Sequence, residues 1–390
     1  MNIPVHNCSS CGACANSCAR NAITMRLDDE GFYRPIIDAD KCVQCGTCEK
    51  VCPWNNVVDN PNAPSDTPKT FASFAKEESV RKESSSGGIF SVLAEKVIDE
   101  GGVVVGVSLL SSTRFGHIVI DNKKDLCRLR GSKYVQADVG LVYREVRSLL
   151  KAGKRVLFSG TPCQVAALYA VLGKDARNDN LFTIDIVCHG VPSVKVFEKY
   201  IRELEEKYGT AFKSVIFRDK NSGWEGYSLR HSFSNGTLFS ERHENSKYMR
   251  LFLSRICQNV SCDHCLYRKT PRIADITLGD YWGVSRHHPE MNDNKGTSVV
   301  LLNTTHGQKL YDGVLDKIVQ CESKLEYAIA GNPCIVRSET RHPKRLDFFA
   351  RLDTDSLDEL IKMYCPFPSL LEQFFCRVRR VLSRVKRMLS

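Results

Sequence analysis

Eight of the eighteen cysteines of this 390-residue chain fall within its first 52 residues, as Cys8, Cys11, Cys14 and Cys18, then as Cys42, Cys45, Cys48 and Cys52 followed by Pro53. The second run repeats the first 34 residues on. A C-x2-C-x2-C loop offers three thiolates from one tight wrap of backbone to a cubic iron–sulfur centre. In two-cluster ferredoxins the fourth cysteine of each run crosses to the other centre. One cluster is therefore expected on Cys8, Cys11, Cys14 and Cys52, and the other on Cys42, Cys45, Cys48 and Cys18. Zinc is the competing use of paired cysteines, but it takes two C-x2-C knuckles separated by a dozen or more residues. Four cysteines packed into eleven residues, twice, do not match that spacing. Ala19 stands where a proline often follows the fourth cysteine, which alters packing and leaves ligation intact.

With 42% hydrophobic and 26% charged residues, the composition is that of an ordinary globular protein with room for two or three domains. The opening MNIPVHNCSS lacks the charged and apolar regions of a signal peptide, and no apolar run approaches membrane-spanning length. A disulfide framework is thereby disfavoured and the cytosol is the expected compartment. The formal charge of +10 is concentrated near the end of the chain. Residues 377–390 carry six Lys or Arg and no acid, interleaved with Val378, Val381, Leu382, Val385, Met388 and Leu389. Apolar steps of three and four predict a C-terminal amphipathic helix. Such a helix either rests on an anionic membrane surface or docks on the protein's own body. A nucleic-acid partner is not expected, because the tail lacks the interleaved aromatics of a single-strand platform.

The pattern predicts an α+β ferredoxin-like two-cluster module at 1–58 and a proline-rich linker at 59–70. An α/β domain with a mixed sheet follows, in two parts at 71–153 and 154–345, and then a helical basic tail at 346–390. Helices are predicted at 89–100, 141–151, 164–172 and 193–208, alternating with strands at 103–107, 155–158 and 181–187. This alternation indicates strands covered by helices. Asn235-Gly236 between two alternating segments predicts a type I′ hairpin.

A second set of cysteines, Cys163, Cys188, Cys257, Cys262 and Cys265, lies far from the ferredoxin runs. Cys163 and Cys188 each follow a predicted strand, and the carboxyl ends of strands are where α/β sheets bind ligands. Cys262 and Cys265 form a C-x2-C pair with its bias toward metal. Cys127, Cys321, Cys334, Cys365 and Cys376 lack ligand-like spacing and read as ordinary reduced thiols. His287 and His288 read as solvent-facing. In Ser84, Ser85, Ser86, Gly87 and Gly88, small residues precede a helix, where free backbone N–H groups can approach a phosphate.

The stretches SSSGGIFSVLAEKVIDEGGVVVGV, GSKYVQAD, VLFSGTPCQVAAL, IDIVCHGVPS and CDHCLYRKTPRIADITLGDYWG occur in that order. Over residues 71–303 the chain resembles the family of coenzyme F420 hydrogenase/dehydrogenase beta subunits. The resemblance implies a flavin, usually FAD, beside a further 4Fe-4S cluster. It puts the cluster ligands on Cys163, Cys188, Cys262 and Cys265 with Cys257 as an extra thiol, and which four of the five bind iron stays open. It also puts Ser132, Lys133 and Tyr134 near the flavin, with Ser85, Ser86, Gly87 and Gly88 at its pyrophosphate and Gly160, Thr161 and Pro162 closing over the ring. Lys133 is suited to steady negative charge on a reduced isoalloxazine, and His189 to protonate a substrate. Asp275, Gly279 and Asp280 fall in the last stretch, where a turn rather than a charge is expected to matter.

Two functions fit. In the first, the chain is an iron–sulfur flavoprotein oxidoreductase that takes electrons from a ferredoxin-type donor and delivers them through its clusters and flavin to an organic acceptor. In the second, it is a non-catalytic electron-transfer subunit of a larger dehydrogenase or hydrogenase complex. The residues identify no acceptor.

Overall fold

The computed structural model describes residues 7–367. The amphipathic segment expected at 377–390, with Cys376, lies outside the described residues. Among those described, no helix is long and apolar enough to cross a membrane.

The N-terminal module pairs two short helices, Ala13–Ser17 and Thr47–Lys50, with an antiparallel hairpin of β1 (Ile23–Leu27) and β2 (Tyr33–Ile37). Each cysteine loop takes the left-handed backbone at equivalent places: Ser10 (φ 58°) and Gly12 (φ 74°) in the first half, Gln44 (φ 52°) and Gly46 (φ 72°) in the second. These sharp reversals wrap the loop around a centre. Cys14 and Cys48 face a small shared core with Ala15 and Ile23, against which Cys18 packs.

The body is built on a nine-stranded mixed sheet. Its strands are β3 (Lys69–Ala75), β4 (Val103–Ser111), β5 (Arg114–Ile120), β6 (Ala137–Asp138), β7 (Val156–Gly160), β8 (Leu181–Ile186), β12 (Ile276–Asp280), β13 (Ser298–Leu302) and β14 (Ile318–Ser323), in the order β14-β3-β13-β12-β8-β7-β4-β5-β6. Strands β4, β7, β8 and β12 run parallel, while β13, β3 and β14 add antiparallel on one side and β5 on the other. The central strands read as continuous apolar runs because both faces are covered. Val104, Val105, Val156, Leu157 and Phe158 are all fully buried.

The helices Ile89–Asp99, Val142–Lys151, Pro162–Leu172 and Val194–Tyr208 form close to where the periodicity predicts them. A smaller antiparallel sheet, β9 (Phe212–Asp219), β10 (Ser228–Phe233) and β11 (Leu238–Arg242), carries the predicted hairpin. Its turn is not type I′. Gly236 takes φ 88° and donates its N–H to Phe233 O, whereas Asn235 is not among the left-handed residues, as in a loop closed by a glycine bulge. The assignment of 346–364 to a basic tail is also corrected. Phe348, Leu352, Leu357, Leu360, Ile361 and Tyr364 are buried in one core with the helix Val194–Tyr208, because the helices Arg345–Arg351 and Leu357–Tyr364 present apolar faces to it.

Candidate electron-transfer site

The first turns that leave β7 and β8 bring Cys163 and Cys188 to the carboxyl edge of the sheet, as the strand endings imply. There they separate two cavities. A small one of about 30 Å3 is lined by Cys163, Cys188, Cys262, Cys265 and Cys334, with Ser9 and Trp54 contributed by the ferredoxin module. A large one of about 540 Å3 also has Cys163, Cys188 and Ser9 in its wall. Cys11 shares a hydrophobic cluster with Cys163 and Cys265. The ferredoxin module, the second cysteine set and the large cavity are thus contiguous.

The donor set suits iron–sulfur clusters. Burial pushes the Cys11 and Cys262 thiols up to about 12, helped by Cys8 and Cys188 respectively, so these groups become thiolates only against a bound cation. Hydrogen bonds to sulfur are already in place: Ser10 N–H to Cys8 (3.3 Å), Ala22 N–H to Cys18 (3.3 Å) and Val191 N–H to Cys262 (3.4 Å). Bonds of this kind tune cluster potential.

The large cavity has one apolar flank and one strongly polar end. The helix Ile89–Asp99 starts at its wall, with Gly88 (φ 88°) as N-cap. At the polar end Arg218 donates to both Asp280 oxygens (2.7 and 3.2 Å) and to Tyr134 Oη (3.2 Å), and its guanidinium lies 4.0 Å over the Tyr227 ring. Trp224 Nε1 donates to the same carboxylate at 2.7 Å. The buried Arg218 Nε has no protein acceptor.

Comparison with known proteins supplies the family. Residues 70–142 match the family model for the N-terminal part of the coenzyme F420 hydrogenase/dehydrogenase beta subunit, and residues 153–327 match the one for its C terminus. The chain belongs to this family. Residues 7–56 and 34–87 match 4Fe-4S dicluster domains. Among curated relatives, the F subunit of F(420)H(2) dehydrogenase from Methanosarcina mazei is 26% identical over 329 residues, 80% of this chain and 83% of the relative. Ferredoxin-type protein NapF of Haemophilus influenzae is 36% identical over 50 residues, 13% of this chain and 28% of the relative. A chain of the F420-reducing [NiFe] hydrogenase complex from Methanosarcina barkeri superposes with TM-score 0.48 at 14% identity, covering 72% of this chain and 93% of that one.

The protein is accordingly an iron–sulfur protein carrying 4Fe-4S clusters, an electron-transfer member of an oxidoreductase family. Of the five cysteines left open by sequence, Cys163, Cys188, Cys262 and Cys265 come together around the small cavity. Cys257 does not. It is fully buried in the apolar core beside Cys365, and its carbonyl accepts from Ser193 N–H at 2.9 Å. Cys334, read from sequence as an ordinary thiol, joins the four and lies 3.6 Å from His189 Nε2. No spacing rule reaches it, since it arrives from a different element.

Ser85, Ser86, Gly88, Ser132, Lys133, Tyr134, Gly160, Thr161 and His189 all line the large cavity. Gly87 and Pro162 do not. Gly87 N–H is spent on Ser298 Oγ (3.0 Å), and an added Cβ would meet Ser73 O at 2.4 Å, so this glycine serves close packing between β3 and β13 rather than a phosphate. Pro162 faces the small cavity as the first residue of its helix. Lys133 Nζ donates to Leu129 O (2.8 Å) and Arg130 O (2.6 Å), and desolvation pulls its pKa down to about 7. Burial also lowers that of His189.

The expectation of a turn role for 275–280 is corrected. Asp280 ends β12 as the anchor of Arg218, and Asp275 accepts from Thr183, Thr304 and Asn62 in a buried network. Arg218 itself escaped sequence reading, since a lone arginine in the strand IFRD carries no motif.

Proposed function

We propose that this chain is the electron-transfer subunit of a larger oxidoreductase complex, with its large cavity holding a flavin of the FAD type at the end of a three-cluster relay. One observation carries the reading: Cys163 and Cys188 stand in the common wall of the two cavities, and Ser9 of the ferredoxin module reaches the same wall. Clusters pass single electrons, while a flavin supplies the exchange between one- and two-electron chemistry. The cavity volume is of the size that holds a cofactor, roughly 300–1,000 Å3. Gly88 and the first turn behind it offer helix N–H groups to a pyrophosphate, and Arg218, Lys133 and Tyr134 line the same cavity. His189 sits where a proton could be delivered to whatever occupies the cavity. The relative from M. mazei is by name one subunit of a dehydrogenase, which favours assembly with a catalytic chain over independent turnover.

Anaerobic purification with quantification of iron, sulfide and flavin tests the cofactor set. About twelve irons and one flavin per chain are expected from three cubane clusters and one cavity. Eight irons would remove the third cluster, and flavin-free protein with full iron would remove the flavin. Co-purification tests the role: a stable complex with a dehydrogenase or hydrogenase catalytic chain is expected, and an isolated chain that turns over an organic acceptor at full rate would replace this reading with an enzyme.

A further inference from the structure

Away from both cavities, on the outer edge of the sheet, three side chains with metal-ligating atoms converge. Cys321 sits on the edge strand β14, in register with Ala72 of β3. Two short helical turns follow β12, Val284–Arg286 and Pro289–Met291; His288 caps the start of the second and Glu290 lies within it. Cys321 Sγ lies 3.3 Å from His288 Nδ1, and His288 Nδ1 lies 3.7 Å from Glu290 Oε1. The three ligand atoms all fall within 4.8 Å of one another. Tetrahedral zinc with bonds of about 2.0–2.3 Å sets its ligand atoms about 3.3–3.6 Å apart, so of the two measured edges the one at 3.3 Å fits such a shell and the one at 3.7 Å needs only a small inward shift of the exposed Glu290.

The imidazole is also held as a ligand would be. Its Nε2 is 2.8 Å from Ser323 Oγ, which is in turn 2.5 Å from Tyr281 Oη. An Nε2–H donated to that hydroxyl fixes the tautomer whose Nδ1 lone pair faces Cys321 and Glu290. Outer-shell support of this kind orients metal-bound histidines. His288 is therefore not the solvent-facing residue expected from sequence: its side chain is 13% exposed, while Glu290 at 61% leaves one side open to water.

We propose that Cys321, His288 and Glu290 form a mononuclear zinc site, with water as the fourth ligand, separate from the iron–sulfur centres. Thiolate, imidazole and carboxylate together select a borderline-soft divalent ion over magnesium or calcium. Binding expels the Cys321 thiol proton to solvent and ties the free edge of β14 to the 284–291 turn.

The test uses anaerobic protein with its clusters intact, dialysed against zinc chloride, with zinc and iron measured together. One zinc per chain at undiminished iron is expected, with an X-ray absorption shell of one sulfur and two or three nitrogen or oxygen atoms. Cys321→Ser and His288→Ala should each lose that zinc. Glu290→Gln, an exposed change that spares folding, should weaken it by about tenfold or more, in line with loss of a ligand-sphere group. Zinc should block maleimide labelling of Cys321, with a chelator restoring it. Equal zinc in wild type and variants, no zinc in wild type, an all-sulfur shell, or labelling of Cys321 indifferent to zinc would each overturn the proposal.

Discussion

Burial decides which cysteines can serve iron. Cys257 and Cys265 stand eight residues apart, and although only Cys265 belongs to a C-x2-C pair, the sequence leaves open which four of the five cysteines bind iron. The structure separates them: Cys265 lines the small cavity, while Cys257 is enclosed by Phe252, Tyr248 and Cys365 in an apolar core. A thiol in that core behaves as a small hydrophobe. Cys265→Ser should therefore lose about four of roughly twelve irons and the matching share of visible absorbance, as removal of one cubane requires. Cys257→Ser should keep its full iron content and lose only stability. Anaerobic iron and sulfide analysis of the two variants, side by side, distinguishes them. Loss of iron from both would place the third cluster differently.

At the scale of elements, most of the fold is legible in the chain. Positions 89–99 and 194–208 form helices since their apolar residues recur at helical spacing, 162–172 is apolar all round and buried, and the three end at Gly101, Gly209 and Gly173, each with φ between 58° and 74°. Strands β4, β7 and β8 are readable as short apolar runs. The residues that sequence misplaces are those whose roles come from distant partners. Arg218 becomes a site residue only because β12 delivers Asp280 to it, and Cys334 because a short turn delivers it to four other cysteines. Gly87 is misread for the converse reason, as a serine-glycine run looks like a phosphate loop until β3 and β13 close on it. Gly87→Ala should cost about 1–3 kcal/mol through overpacking against Ser73 O and Ser298 N. Anaerobic denaturant titration checks this, with iron in the remote N-terminal module unchanged; an unaltered midpoint would show that β3 and β13 relax without cost.

Across the whole molecule, an electron relay needs its modules held in one arrangement, and the contacts between ferredoxin module and body supply that. Arg144 reaches from the helix Val142–Lys151 to the carbonyls of Ala15, Asn16 and Cys18 and to Asn21 Oδ1, at 2.6–2.9 Å. Tyr143 Oη donates to Cys11 O at 2.9 Å, linking the body directly to a cluster loop. On the other side Arg345, almost wholly buried, makes a bidentate pair with Glu30 at 2.9 and 2.6 Å. Breaking a buried pair from one side leaves an uncompensated charge and costs about 3–5 kcal/mol, and less here since Glu30 keeps some contact with water. Glu30→Ala, which strands the arginine among Phe32 and Phe349, should therefore loosen docking while leaving both ferredoxin clusters assembled. The expected signature is faster protease cleavage in the 59–68 connection and slower oxidation of the ferredoxin clusters by an acceptor that enters through the large cavity, at unchanged iron content. Equal cleavage and equal transfer rates in wild type and Glu30→Ala would show that the other contacts, among them those of Arg144, Tyr143 and Asn259, fix the module without it, and the Arg345 pair would then be a feature of local packing only.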